Sequence, residues 1–178
     1  RYEADEEVQD LLNASPGTNL GVDLLPGALG WDGSREVEPE LAARVVWLDA
    51  LTANVDRTWA NPNLLLWHGR PWLIDHGAAL YFHHSWPRRE PDPARFAAQR
   101  YDAGEHLLLP VAGDVTVAHE QLSPRAAAHL DDVLDRVPSE WLEPTPWLPD
   151  ADAARAAYRE HLVARLAAPA AWLPGGAP

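Results

Sequence analysis

Cysteine, methionine and lysine are all missing from this 178-residue chain, whose 14 basic residues are every one arginine. Without cysteine there can be no disulfide framework and no thiolate metal site. Without methionine there is no start residue. The chain opens at Arg1-Tyr2-Glu3, which is the expectation for a processed or trimmed product rather than a complete protein. Long hydrophobic runs are also lacking: none approaches the roughly 20 residues of a membrane-spanning helix. No charged-then-apolar leader opens the sequence. Positive charge is scarce, and the formal net charge is -13. Such a surface repels nucleic-acid phosphates and anionic lipid, so neither is expected as a direct partner. A cytoplasmic location is the expectation that remains.

What is present is ordinary for a globular domain. Hydrophobic residues make up 47% of the chain, enough at this length for one domain with a real core. The sequence predicts a short helix over residues 3–14, acidic at its start where the helix dipole favours negative charge. It predicts a strand over 18–25, before the Pro26-Gly27 turn. The clearest helix begins at Glu38-Pro39, with Leu41, Val45, Leu48 and Leu51 at three- and four-residue steps, and ends near Asn54. Two short apolar runs, 64–67 and 71–74, flank a glycine-containing link and predict a β-hairpin. A proline-rich ordered loop is expected over 85–94 and helices from about Ala94 onward. Ser123-Pro124 and Asp150 read as helix starts, and the last residues as a frayed tail. The fold class predicted is mainly α with a small β-hairpin, an α+β arrangement. Trp47, Trp59, Trp67 and Trp72 are expected to pack in the core.

Residues 51–77, LTANVDRTWANPNLLLWHGRPWLIDHG, carry the chemistry. A buried helix runs into a loop with Asp56; Asn61 follows five residues later; after the hairpin comes Asp75-His76-Gly77. Phosphoryl transfer needs one carboxylate to orient an acceptor hydroxyl and receive its proton. It also needs an amide oxygen and a second carboxylate to hold magnesium, a hard ion that prefers oxygen. Protein kinases meet that need with a D-x-x-x-x-N loop and a later D-F-G. Either match alone is weak, since each of these residues could as readily cap a turn. The helix, loop, hairpin and D-x-G together make the signal.

Residues 54–84, NVDRTWANPNLLLWHGRPWLIDHGAALYFHH, resemble the HipA-like protein kinase family, and the upstream NLGVDLLPGALGWD is similar to it too. The resemblance implies a protein-kinase-like C-lobe with the N-lobe largely absent: residues 1–30 would be the end of the N-lobe and the hinge, and 31–178 the C-terminal lobe. It implies ATP and Mg2+ as cofactors and a protein Ser/Thr hydroxyl as acceptor. Asp56 would be the catalytic base, Asn61 and Asp75 the magnesium ligands, and Leu24, Leu25 and Gly27 the hinge segment that meets the adenine. Three positions depart from the pattern. Asn54 stands where many kinases have histidine, Asp56-Arg57-Thr58 replaces D-x-H, and His76 replaces the usual phenylalanine. The missing lysine is a fourth departure, because kinases grip the α- and β-phosphates with one; the chain alone is therefore expected not to turn over ATP.

Three alternatives stay open: a non-catalytic, pseudokinase-like module with a regulatory protein partner, a small-molecule or lipid phosphotransferase on the same fold, and a metal hydrolase using Asp75 and the histidines. His76, His83 and His84 lie close to Asp75 in sequence. A zinc site there fits no known spacing, and local packing is the preferred reading. Arg57 reads equally as a phosphate contact or as a structural ion pair. Arg88-Arg89 reads as a solvated loop, and His68 as an exposed hairpin residue.

Overall fold

A computed structural model describes residues 5–175. It is mostly helical, with one small antiparallel sheet, as the α+β expectation required. Helix α1 spans Glu6–Ala14; the expected start at residues 3 and 4 lies outside the described residues. Its Leu11 and Leu12 stay exposed.

The expected strand over 18–25 is not formed. The segment runs unpaired to the turn in which Ala28 N–H donates to Leu25 O (3.0 Å), and Leu20, Val22 and Leu24 face solvent. Strand β1 is instead Leu29–Gly30, which occupies one edge of β2 (Leu64–Trp67), while β3 (Arg70–Leu73) occupies the other. Both edges of β2 are taken, and residues 18–25 pair with neither outer strand of the sheet. Side chains tether their start: Glu140 Oε1 accepts from Thr18 N–H (3.0 Å) and Trp141 Nε1–H donates to Thr18 O (2.7 Å).

Helix α2, Pro39–Thr52, is the centre of the core. Pro39 suits the first turn, where an N–H would have no partner. Ala42, Ala43, Val45, Val46, Trp47, Ala50 and Leu51 are all buried, so nearly every face is covered; Leu41, expected on the apolar face, is exposed in the first turn. Ala53 closes the helix in the left-handed conformation (φ 54°), and the chain then turns into the loop that carries Asp56. Burying each large apolar side chain contributes roughly 1.5–3 kcal/mol, so α2 anchors that loop firmly.

The hairpin forms as the sequence predicts. His68 (φ 48°) and Gly69 (φ 74°) make its two-residue turn, both with the positive φ such turns require. Pairing runs Leu64↔Leu73, Leu65↔Trp72, Leu66↔Pro71 and Trp67↔Arg70. Pro71 is tolerated because β3 is an edge strand.

After a 3-10 turn at Tyr81–Ser85 come α3 (Pro93–Ala98), α4 (Val115–Asp135), α5 (Ala151–Leu166) and the one-turn α6 (Pro169–Trp172). Asp150 caps α5 as expected, accepting from Ala153 N–H (2.8 Å). The expected helix start at Ser123-Pro124 is wrong: α4 begins eight residues earlier, where Asp114 Oδ1 accepts from Thr116 N–H (2.7 Å), and it passes through Pro124. Proline in a helix interior forfeits one backbone bond, so packing against α2 and α5 must offset that loss.

Residues 99–114, expected to be helical, are mostly irregular. The tail is not frayed over its described part: Trp172 is 1% exposed and its indole N–H donates to Arg165 O (2.6 Å). Residues 176–178 of the expected tail lie outside the described residues. Of the four tryptophans expected in the core, only Trp47 is there. Trp59 is exposed and stacks on Trp31, Trp72 is exposed, and Trp67 is half-buried on the hairpin.

Candidate functional site

The loop after α2 divides its side chains between two levels. Below it lies a buried network. Asp49, on the last turn of α2, is fully buried. Its Oδ2 receives Arg57 Nε–H (2.6 Å) and lies 3.0 Å from His106 Nε2, and its Oδ1 receives Asn54 Nδ2–H (2.8 Å). Arg57 also donates to Asn63 O. His106 Nδ1 accepts the Leu108 backbone N–H (3.2 Å), so the proton sits on Nε2 and is donated to Asp49. Tyr101 donates its hydroxyl to Asn54 O (2.8 Å).

Burial alone would raise the Asp49 pKa. The hydrogen bonds from His106, Arg57 and Asn54, with the Arg57 charge, outweigh it and hold the carboxyl below its usual range. Burial pushes the Tyr101 phenol up, reinforced by the Asp49 charge, so it stays a donor. Arg57 is thus the structural ion pair of the two readings above. Asn54, which departs from the kinase pattern, holds the loop instead: its side-chain oxygen accepts from Asp56 N–H (3.3 Å).

Above the network, the side chains of Asp56 and Asn61 meet, and the backbone of Asp75 is joined to them through Asn63. Asn61 Nδ2–H donates to Asp56 Oδ2 (2.7 Å). Asn63 joins them to Asp75: its Nδ2 donates to Asp56 Oδ2 and to the Asp75 backbone carbonyl, each at 3.3 Å. The hairpin makes this possible. Its pairing continues one step beyond Leu64↔Leu73, with Ile74 N–H donating to Asn63 O (3.0 Å), so Asp75 returns beside the loop. Asp75 Oδ1 accepts from Gly77 N–H (3.2 Å). A Cβ at Gly77 would lie 3.1 Å from that oxygen, so the carboxylate fits closely against the glycine.

Ala53, Asn63, Asp75 and Leu80 all have φ between 45° and 57°. Such backbone is costly for residues with a Cβ, less so for Asn and Asp, and it clusters where structure over-determines geometry. Among the described residues, no protein partner is recorded for Asp56 Oδ1, Asn61 Oδ1 or Asp75 Oδ2. The cluster therefore presents three free oxygens on a half-exposed to exposed surface.

Sequence reasoning missed Asn63, the clamp, and Asp49 with His106, the support. Asn63 was visible as part of Asn61-Pro62-Asn63; His106 lies 57 residues from Asp49 and gave no local signal.

The other expected residues are scattered. Leu24 is exposed; Leu25 O is taken by the Ala28 turn bond, and Pro26 O by Trp67 Nε1–H (3.0 Å). Gly27 supplies that turn's positive φ of 76°. His83 and His84 pack ring against ring at 4.1 Å, and His84 on Tyr81. Among the described residues, no group of three or more His, Asp or Glu side chains is arranged to hold a metal ion. Two clefts, of about 720 and 340 Å³, lie beside the 3-10 turn, and neither is lined by Asp56, Asn61 or Asp75. The oxygen cluster forms an open face, and its chemistry rather than concavity marks it.

No family model, curated protein or solved structure matches the chain.

Proposed function

We propose that this chain carries the catalytic residues of an ATP- and magnesium-dependent phosphotransferase of HipA-like type, acting on a protein Ser/Thr hydroxyl. The observation that carries the reading is the convergence of Asp56, Asn61 and Asp75 through Asn63, with an oxygen of each left free. The donor set is all oxygen, from two carboxylates and a carboxamide, which suits magnesium. That ion commonly takes only one or two carboxylates from protein and completes its shell with phosphate and water. Asn61 and Asp75 would hold it, and it would neutralise phosphate charge. Asp56, fixed through Oδ2 by two carboxamides, keeps Oδ1 to orient an acceptor hydroxyl and receive its proton.

The test is Asp56→Ala in the protein as made by the cell. Phosphate transfer from ATP should fall at least 100-fold, while magnesium-dependent nucleotide binding stays within a few-fold of wild type. Undiminished turnover would remove Asp56 from the role.

A second reading has its own support. The chain has no lysine, and Arg57, next to Asp56, is spent on Asp49. The arginine adjacent to the proposed base is thus unavailable to grip phosphates, which favours a non-catalytic, pseudokinase-like binding module. Nucleotide binding without transfer would select it. The same fold acting on a small-molecule or lipid hydroxyl would show instead as transfer to those acceptors and not to protein.

A further inference from the structure

A second site lies between the 3-10 turn, α3 and α5. Its cavity of about 340 Å³ is walled by Tyr81, Phe82, Trp86 and Phe96, and His161 of α5 also lines it. His161 is 1% exposed. Its Nδ1 lies 2.7 Å from Ala157 O; a carbonyl can only accept, so Nδ1 carries the proton. Phe82 stacks on the imidazole face at 4.5 Å and 16°, and Trp86 meets it edge-on at 5.6 Å. Burial holds the ring neutral by lowering its pKa, against the opposing pull of the Ala157 carbonyl and of Asp92 and Glu160.

Nε2 is therefore a bare acceptor, and no partner for it is recorded among the described residues. Nε2 is not sealed off, since among the described residues only His83 Nδ1 is a fully buried side-chain atom without a partner, so Nε2 keeps the solvent contact that a cavity-lining atom has. The rim carries both signs of charge, Arg89 and Arg95 against Glu90 and Asp92. Neither arginine makes an ion pair among the described residues.

We propose that this cavity binds a single aromatic ring bearing an O–H or N–H donor, a tyrosine-type group, with the donor delivered to His161 Nε2. The walls supply the faces and edges that aromatic rings pack against. The inner acceptor selects for a donor, because a purely apolar ring would leave Nε2 desolvated and unpaired. The rim, with two guanidiniums and two carboxylates, suits the charges of a free amino acid or the polar backbone of a peptide. The site is independent of the oxygen cluster and stands whether or not that cluster transfers phosphate.

Binding of N-acetyl-tyrosinamide, N-acetyl-phenylalaninamide and free tyrosine, followed by protein-observed NMR, tests it. The tyrosine amide should bind about tenfold tighter than the phenylalanine amide and move the 15N resonance of His161 Nε2. His161→Phe should abolish that preference. The Nε2 shift in the unaltered protein decides the matter if His161→Phe fails to fold. Free tyrosine binding tighter than its amide identifies an amino-acid ligand, and equal binding a peptide residue; both support the site. Equal affinity for the two amides, or no binding of either tyrosine probe at millimolar concentration, overturns it.

Discussion

Asp56 and Arg57 are neighbours in sequence with opposite surroundings. Arg57 points down into a fully enclosed ion pair with Asp49, while Asp56 points up to carboxamides and solvent. Buried charge costs several kcal/mol in lost hydration and is retained only when paired and fully hydrogen-bonded, as it is here. Surface carboxylates pay no such cost and are free to change partners. The loop thus keeps its support and its chemistry one residue apart, and changes at the two levels should have separable effects.

Asp49→Ala gives the sharpest separation. It strands the Arg57 guanidinium and the His106 N–H, and should cost about 3–5 kcal/mol of folding stability, read by urea denaturation. Asp56→Ala, measured the same way, should cost less than about 1 kcal/mol, since its two carboxamide partners can turn to water. Equal losses in the two variants would break the division into levels.

Acid titration of stability is the next test in size. The Asp49 carboxyl titrates below its unfolded range, so the stability it lends is fully present above about pH 4 and is lost as pH falls through its lower folded value. Asp49→Asn should remove part of that acid slope and leave the pH 5–8 region unchanged in shape. A slope unaltered by the substitution would assign acid unfolding to other carboxylates.

Gly77→Ala should have the smallest effect. The added methyl presses on Asp75 Oδ1 and must shift it by a few tenths of an ångström. Stability should change by under about 0.5 kcal/mol. If the proposed transfer is present, its magnesium requirement should rise a few-fold, read as the half-saturating magnesium concentration.

The same contrast explains what could be read from sequence. The upper level was legible because Asp56, Asn61 and Asp75 lie within 20 residues on a helix–loop–hairpin whose periodicity and turn residues are local signals. The lower level was not, because His106 reaches Asp49 across the fold. Residues 18–25 misled because apolar residues close together before a Pro-Gly turn resemble a strand, yet a strand forms only where its backbone meets a ladder, and here Leu20, Val22 and Leu24 stay in solvent. Ser123-Pro124 misled because a serine before a proline resembles a helix start, whereas the real cap, Asp114, lay upstream beyond a valine-rich turn. The exposed tryptophans show that residue type alone does not decide burial.

The hairpin also limits how this chain can vary in length. Asn63 and Ile74 meet because each strand contributes the same number of paired residues between them. A single inserted residue in either strand would turn every later side chain to the opposite face and carry Asp75 off its station. Insertions in matched pairs, one on each strand, would lengthen the arm and leave its base unchanged. Length variation in related chains should therefore come in steps of two between residues 64 and 73, with odd numbers accommodated at the turn or beyond Gly77.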